Sequence, residues 1–156
     1  MNWDEYFFDI IESVLKKSKD PSTRVGSIIV SPDHEIVSTG FNGFPKRVQD
    51  VSNNLKNIEA RYERSQKLLF TEHAERNAIY AAARRGTPLD GCTIYVDWTP
   101  CADCMRGIIQ SGIVEVVLNG RSESFNNEAL QKRWADHIEC SNTMASEAGV
   151  LIRVWK

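Results

Sequence analysis

The sequence predicts an α/β fold: a three-layer sandwich in which a five-stranded mixed sheet carries helices on both faces. Three observations lead there. Helix-like and strand-like segments alternate in the order α-β-β-α-β-α-β-α-β, an order that buries a sheet between helical layers. The strand-like segments are short apolar runs bounded by turn residues, as expected of strands covered on both faces. The 156 residues suit one domain, spanning 1–156, with enough core to need no disulfide staples.

The first element is an amphipathic helix over about Asn2–Lys17, with Tyr6, Ile10 and Val14 beside Phe7 and Ile11 on its apolar stripe. Asn2 or Asp4 can cap it, and Ser18-Lys19-Asp20-Pro21 ends it. Val25–Val30 and Glu35–Phe41 read as a hairpin around the turn Ser31-Pro32-Asp33-His34. A long polar stretch from Asn42 to Phe70 follows, with helical spacing between Leu55 and Lys67. Loops this long tend to serve function, and this one is expected to help cover a site.

His73–Arg85 is an alanine-rich helix ended by Gly86. Cys92–Asp97 is a strand and Cys101–Gln110 a helix closed by Gly112. Val114–Asn119 is a strand, Glu128–Glu147 a single helix, and Val150–Trp155 the last strand.

Composition narrows the function classes. A net charge of −2 argues against a broad nucleic-acid surface, so no stable nucleic-acid partner is expected. Lys16, Lys17, Lys19 and Arg24, with Lys46 and Arg47, are the local basic groups. The acidic start Met1-Asn2-Trp3-Asp4-Glu5 lacks the layout of a secretory signal, and no apolar stretch is long enough to span a membrane. The expectation is a cytoplasmic protein without a membrane partner.

The chemistry is concentrated in His73-Ala74-Glu75 and Pro100-Cys101-Ala102-Asp103-Cys104. One imidazole and two thiolates give zinc three ligands and leave a fourth position open, the pattern of a catalytic rather than a structural site. Cys101 and Cys104 are three residues apart at a helix start, so one turn presents both sulfurs, and the helix dipole favours their thiolates. Glu75 is the carboxylate placed to move protons between water and substrate. Residues two apart in a regular helix do not face each other, so His73 must precede the regular turns, with Thr71 or Glu72 as the cap. The alternative, Cys101-x-x-Cys104 as a redox pair, leaves His73 and Glu75 without work.

H-x-E followed by P-C-x-x-C is the signature of zinc-dependent nucleobase deaminases. Other segments extend the likeness: Ser18-Lys19-Asp20-Pro21-Ser22-Thr23-Arg24-Val25-Gly26, Gly40-Phe41-Asn42-Gly43-Phe44-Pro45, His73-Ala74-Glu75-Arg76-Asn77-Ala78-Ile79 and Ile108-Ile109-Gln110-Ser111-Gly112-Ile113. With these the chain resembles the deoxycytidylate deaminases of the cytidine-deaminase-like superfamily.

The resemblance implies hydrolysis of dCMP to dUMP and ammonia, with one catalytic zinc held by His73, Cys101 and Cys104 and a proton shuttle at Glu75. It implies substrate contacts at Asn42 and Ala74, although Asn42 reads equally well as a turn residue before Gly43. The family often places a tyrosine and a basic residue after the fourth strand. Here that loop reads Asn119-Gly120-Arg121-Ser122-Glu123-Ser124-Phe125, leaving Phe125 to stack on the base and Arg121 to meet phosphate. No Cys/His set for a second zinc is present, and Val48–Phe70 departs from the family. Family likeness also implies dCTP and dTTP as effectors and a homo-oligomer, with Arg84 at the interface. The competing readings are a deaminase of another or 5-substituted nucleotide, nucleoside or base, and, less favoured by the charge, of adenosine in tRNA. A zinc-stabilised binding protein is the non-enzyme alternative.

Overall fold

The computed structural model describes residues 1–50 and 59–156. Helix α1 (Trp3–Val14) leads into strands β1 (Gly26–Val30) and β2 (Ile36–Phe41). Helices α2 (Arg64–Phe70) and α3 (Ala74–Ala83) precede β3 (Thr93–Val96). Then come α4 (Ala102–Gln110), β4 (Glu115–Asn119), α5 (Glu128–Arg133), α6 (Ala135–Ala148) and β5 (Leu151–Trp155). The strands form one sheet in the order β2-β1-β3-β4-β5. β1 is antiparallel to β2 and β3, whereas β3, β4 and β5 run parallel. The mixed sheet with helices on both faces is therefore as the sequence predicts.

Side-chain alternation along the strands builds two cores. Ile29, Ile94, Val96, Val116 and Leu118 face α3, α4 and α6, meeting Ala78, Ala82, Met105, Ile108 and Ala145. Ile28, Val30, Tyr95 and Val117 point the other way, onto Phe7, Phe8 and Ile11 of α1. Because both faces are covered, these strands are apolar at nearly every position.

Asn2 caps α1 by accepting the Glu5 N–H at 2.8 Å. The buried stripe of that helix is Phe7, Phe8 and Ile11, while Tyr6 is 40% exposed. Of the expected stripe, Phe7 and Ile11 are buried as predicted, while the buried face extends to Phe8, which meets Tyr95 and Trp155, and leaves Tyr6 outside it. Arg153 of β5 binds Asp4 through two nitrogens at 2.7 Å and Glu115 at 2.8 Å, tying the start of α1 to the parallel strands. The hydrogen bonds from Arg153 hold the Asp4 carboxyl below its usual range, against the opposing effect of burial.

Two expectations need correction. The helix predicted over Glu128–Glu147 is broken in two at Trp134, whose φ of −104° and ψ of 11° leave the α region. Leu55–Lys67 is not one helix: a short 3-10 turn covers Glu59–Tyr62 and α2 begins at Arg64, while 51–58 lie outside the described residues.

Strand β2 and helix α3 approach unusually closely. A Cβ on Gly40 would lie 2.1 Å from the Ala74 carbonyl oxygen and 2.4 Å from the Ala78 nitrogen. Ser38 donates to the Ala78 carbonyl at 2.9 Å, and Asn77 donates to the Phe41 carbonyl at 2.8 Å, so the helix is pinned in place. Gly40→Ala is expected to cost about 3 kcal/mol or more, because the obstructing atoms are backbone and cannot rotate away. Denaturant unfolding checks this, and an unchanged midpoint would show that α3 can slide. Such a slide would carry His73 and Glu75 with it.

Candidate active site

The connections at one end of the sheet converge on a cavity of about 310 Å³. Ser22, Thr23 and Val25 reach it from the segment entering β1, Asn42 from the end of β2, Trp98 and Cys101 from beyond β3, and Ser124 from beyond β4. This is the carboxyl end of the parallel strands, where α/β sheets place their ligands.

His73 is the N-cap of α3, with φ −78° and ψ 155°, so it stands outside the helical turns as its spacing from Glu75 demands. Neither Thr71 nor Glu72 is the cap. Glu72 instead accepts the His73 backbone N–H at 3.0 Å and pairs with Arg76 one turn on. That arrangement fixes the chain just before the imidazole.

Cys101 is the N-cap of α4, and its sulfur accepts the Cys104 N–H at 3.5 Å. The imidazole Nδ1 of His73 lies 3.5 Å from each sulfur, and the three ligand atoms all lie within 4.8 Å of one another. Tetrahedral zinc, with metal–sulfur bonds near 2.3 Å and metal–nitrogen bonds near 2.05 Å, requires a nitrogen–sulfur separation of about 3.6 Å. Donor types and spacing therefore fit zinc.

The two sulfurs influence each other's ionisation in opposite directions. A hydrogen bond from Cys104 draws the Cys101 thiol down to about 4, helped by His73 and opposed by burial. Cys104 is pushed up by its hydrogen bond to Cys101 and by burial. Zinc takes cysteine as the thiolate, so binding at this pair releases the proton that a thiol carries.

Glu75 is 4% exposed, in the first turn of α3, and its side chain lines the cavity. Burial pushes its carboxyl up, while the neighbouring His73 pulls it down. A buried carboxylate without an arginine or lysine partner among the described residues is poised to take up and release a proton.

The substrate residues expected from the sequence fare unevenly. Asn42 and Ala74 both line the cavity. The Asn42 amide, however, is turned to the protein: it accepts from the Val25 N–H at 2.8 Å and donates to the Thr23 carbonyl at 2.9 Å and to the Asp20 carboxylate at 3.4 Å. It thereby shapes the wall formed by Ser22–Val25.

Arg121 and Phe125 do not line the cavity. The Arg121 guanidinium lies 4.0 Å over the Trp155 ring and donates to the Lys156 carbonyl, drawn there by an aromatic face and a backbone acceptor. Phe125 is partly buried and packs against the core shared with α3, α4 and α6, where an apolar ring is better placed than at a wet rim. Lys19, Arg24, Lys46 and Arg47 are exposed and outside the cavity as well.

The cations that do line it are Lys67 of α2 and Arg133 of α5. Tyr62 and Leu68 also line it, so the polar stretch before α3 contributes a wall as expected. Trp98 and Trp134 complete the lining. Trp98 could have been suspected from its place three residues before Cys101. Trp134 and Arg133 carried no signal once that region was read as an unbroken helix. Arg84 lies exposed at the C-cap of α3, at the far end of that helix from the cavity.

Comparison with known proteins agrees with this geometry. Residues 1–119 match the family model described as the cytidine and deoxycytidylate deaminase zinc-binding region. An uncharacterized deaminase in the luxG 3′ region of Aliivibrio fischeri is 42% identical over 148 residues, covering 95% of this chain and 90% of that protein. The deoxycytidylate deaminase of Homo sapiens is 34% identical over 133 residues, covering 85% of this chain and 73% of that one. The fold is shared with the dCMP deaminase of cyanophage S-TIM5, whose crystal structure is a complex with dCMP and dUMP. The TM-score is 0.69 at 21% identity, covering 97% of this chain and 95% of that one. With the matched model spanning both halves of its zinc-ligand set, this chain belongs to the cytidine and deoxycytidylate deaminase family.

Proposed function

We propose that the chain is a single zinc-dependent deaminase domain that hydrolyses dCMP to dUMP and ammonia. The observation that carries the reading is the His73–Cys101–Cys104 group with Glu75 beside it in one cavity. Deoxycytidylate deaminases among its relatives support the choice of nucleotide.

His73, Cys101 and Cys104 would hold the metal, which supplies Lewis acidity that makes water nucleophilic near neutral pH. Glu75 accepts a proton from the attacking water and delivers it to N3 of the pyrimidine as oxygen adds to C4. The second proton goes to the exocyclic nitrogen, the C4–N4 bond breaks, and ammonia leaves. Burial of the carboxylate keeps its proton from exchanging with bulk water. Apolar walls from Val25, Leu68 and Leu130 help exclude competing solvent.

The 5′-phosphate falls to Lys67 and Arg133. Lys67 is tied to the buried Asp20 carboxylate at 2.7 Å and to Ser22 at 2.9 Å, which holds its ammonium at the rim. Arg133 forms no ion pair among the described residues, so its guanidinium can make charge-assisted bonds to phosphate. Binding energy from that end of the substrate helps place the ring, so catalytic efficiency should depend on it. The kcat/KM for dCMP is expected to exceed that for deoxycytidine by about a hundredfold or more. Equal values would remove the phosphate subsite and favour a nucleoside deaminase.

Family likeness further supports a homo-oligomer that uses the exposed face around Arg84, with dCTP and dTTP as effectors. Light scattering and nucleotide titration of activity test these two separately. A cytoplasmic location is in keeping with the composition, and among the described residues no helix is long and apolar enough to cross a membrane.

A further inference from the structure

A neighbouring cavity of about 390 Å³ lies beside the catalytic one, on the α1 side of the sheet. Ser124 lines both. Asp9 and Glu12 of α1, Asp97 after β3 and Glu123 after β4 bring four carboxylates to it, against the guanidiniums of Arg24 and Arg121.

Asp97 sets this cavity apart from an ordinary acidic patch. It follows β3 directly and is 4% exposed, yet its Oδ1 has no hydrogen-bond partner among the described residues. Neither arginine pairs with it there. Arg121 lies over the Trp155 ring, and the Arg24 Nε reaches the Asp20 carbonyl at 3.5 Å. Burial pushes the Asp97 carboxyl up to about 6, with Glu12 and Glu75 adding to the rise and hydrogen bonds from Gly26 and Asn119 opposing it. At neutral pH it is therefore mostly ionised, a buried anion without a counter-charge.

The surroundings suit one positive charge better than two. Divalent ions are held by several charged donors, but among the described residues the only cluster of three such side chains is His73–Cys101–Cys104. Around Asp97 the wall instead offers neutral oxygens, from Asn119, Ser122 and Ser124. Deamination next door supplies a singly charged ion. Ammonia leaving the pyrimidine takes a proton from buffered water and is ammonium at neutral pH.

Resting on the deaminase reading, we propose that the cavity at Asp97 binds a small monovalent cation and takes up the ammonium that the reaction releases. Asp97 supplies the compensating charge, and the neutral oxygens supply further acceptors for the N–H groups of the ion. The exposed carboxylates of Asp9 and Glu12 draw it on toward solvent. Because Ser124 is common to both cavities, the released ion reaches Asp97 without crossing the body of the domain.

The test is thermal melting of zinc-loaded protein near pH 7 in ammonium, potassium or tetramethylammonium chloride at equal ionic strength. Ammonium should raise the wild-type Tm by about 2–4 °C over tetramethylammonium, which is too bulky for the site, once the site is mostly filled. Potassium, of similar size but unable to donate hydrogen bonds, should give a smaller rise. Asp97→Asn removes a costly buried charge, so it should fold and melt alike in all three salts. An ammonium shift in Asp97→Asn equal to that of the wild type overturns the proposal. Should that variant not fold, the ranking of salts in the wild type decides alone: ammonium failing to exceed both of the others overturns it. Melting needs no turnover, so wild type that shows the ammonium shift but releases no ammonia from dCMP keeps the cation site and overturns the reaction reading.

Discussion

Glu75→Gln is expected to bind zinc and fold like the wild type while losing at least about three orders of magnitude in kcat, within the range that general acid–base catalysis contributes. Glu75 sits in the first turn of α3, buried against the cavity, where glutamine of the same shape preserves packing and the helix start. The amide cannot carry a proton between water, ring nitrogen and leaving amine. It also removes a carboxylate that burial makes costly, so thermal stability should hold or rise. Turnover within about tenfold of wild type would mean that another group moves the protons.

Cys104→Ala should have a still broader effect. Cys104 is fully buried and lies within 3.5 Å of the His73 nitrogen while its own N–H bonds Cys101. Alanine leaves two ligands, so zinc affinity should fall by more than about a hundredfold and activity should vanish with it. Since binding free energy is also folding free energy, chelation should lower the melting temperature of the wild type and leave this variant's nearly unchanged. Zinc analysis together with melting curves checks both points. Wild-type zinc content in the variant would remove Cys104 from the ligand set.

The fold was legible because its signals are local and consistent. Buried strands betray themselves as apolar runs, and Gly86 and Gly112 do close the helices that precede them, each at positive φ. The metal group was legible for a different reason. Zinc restricts donor type and spacing so strongly that two short motifs determine it. The substrate walls were not legible, because they come from residues far apart in sequence whose side chains can turn either way.

Arg121 shows this plainly: its position after β4 suited a phosphate, but the Trp155 ring and a backbone carbonyl claim it. Lys67 reaches the rim through an ion pair with Asp20, 47 residues away in the chain. Trp134 depends on a helix break that no glycine or proline announces. Asn42 lies between the two cases. Its position at the cavity was readable, but the use of its amide to hold the segment before β1 was not.

Zinc at His73, Cys101 and Cys104 is expected to let this chain convert dCMP to dUMP. The most direct measurement follows ammonia and dUMP released from dCMP by purified protein of known zinc content, before and after the metal is removed and restored. One zinc per chain, equal amounts of ammonia and dUMP, loss of activity on stripping and recovery on adding zinc are the predicted result. Folded protein with a full complement of zinc that releases no ammonia from dCMP, or stripped protein that deaminates it at the same rate, would rule out zinc-dependent deamination of dCMP.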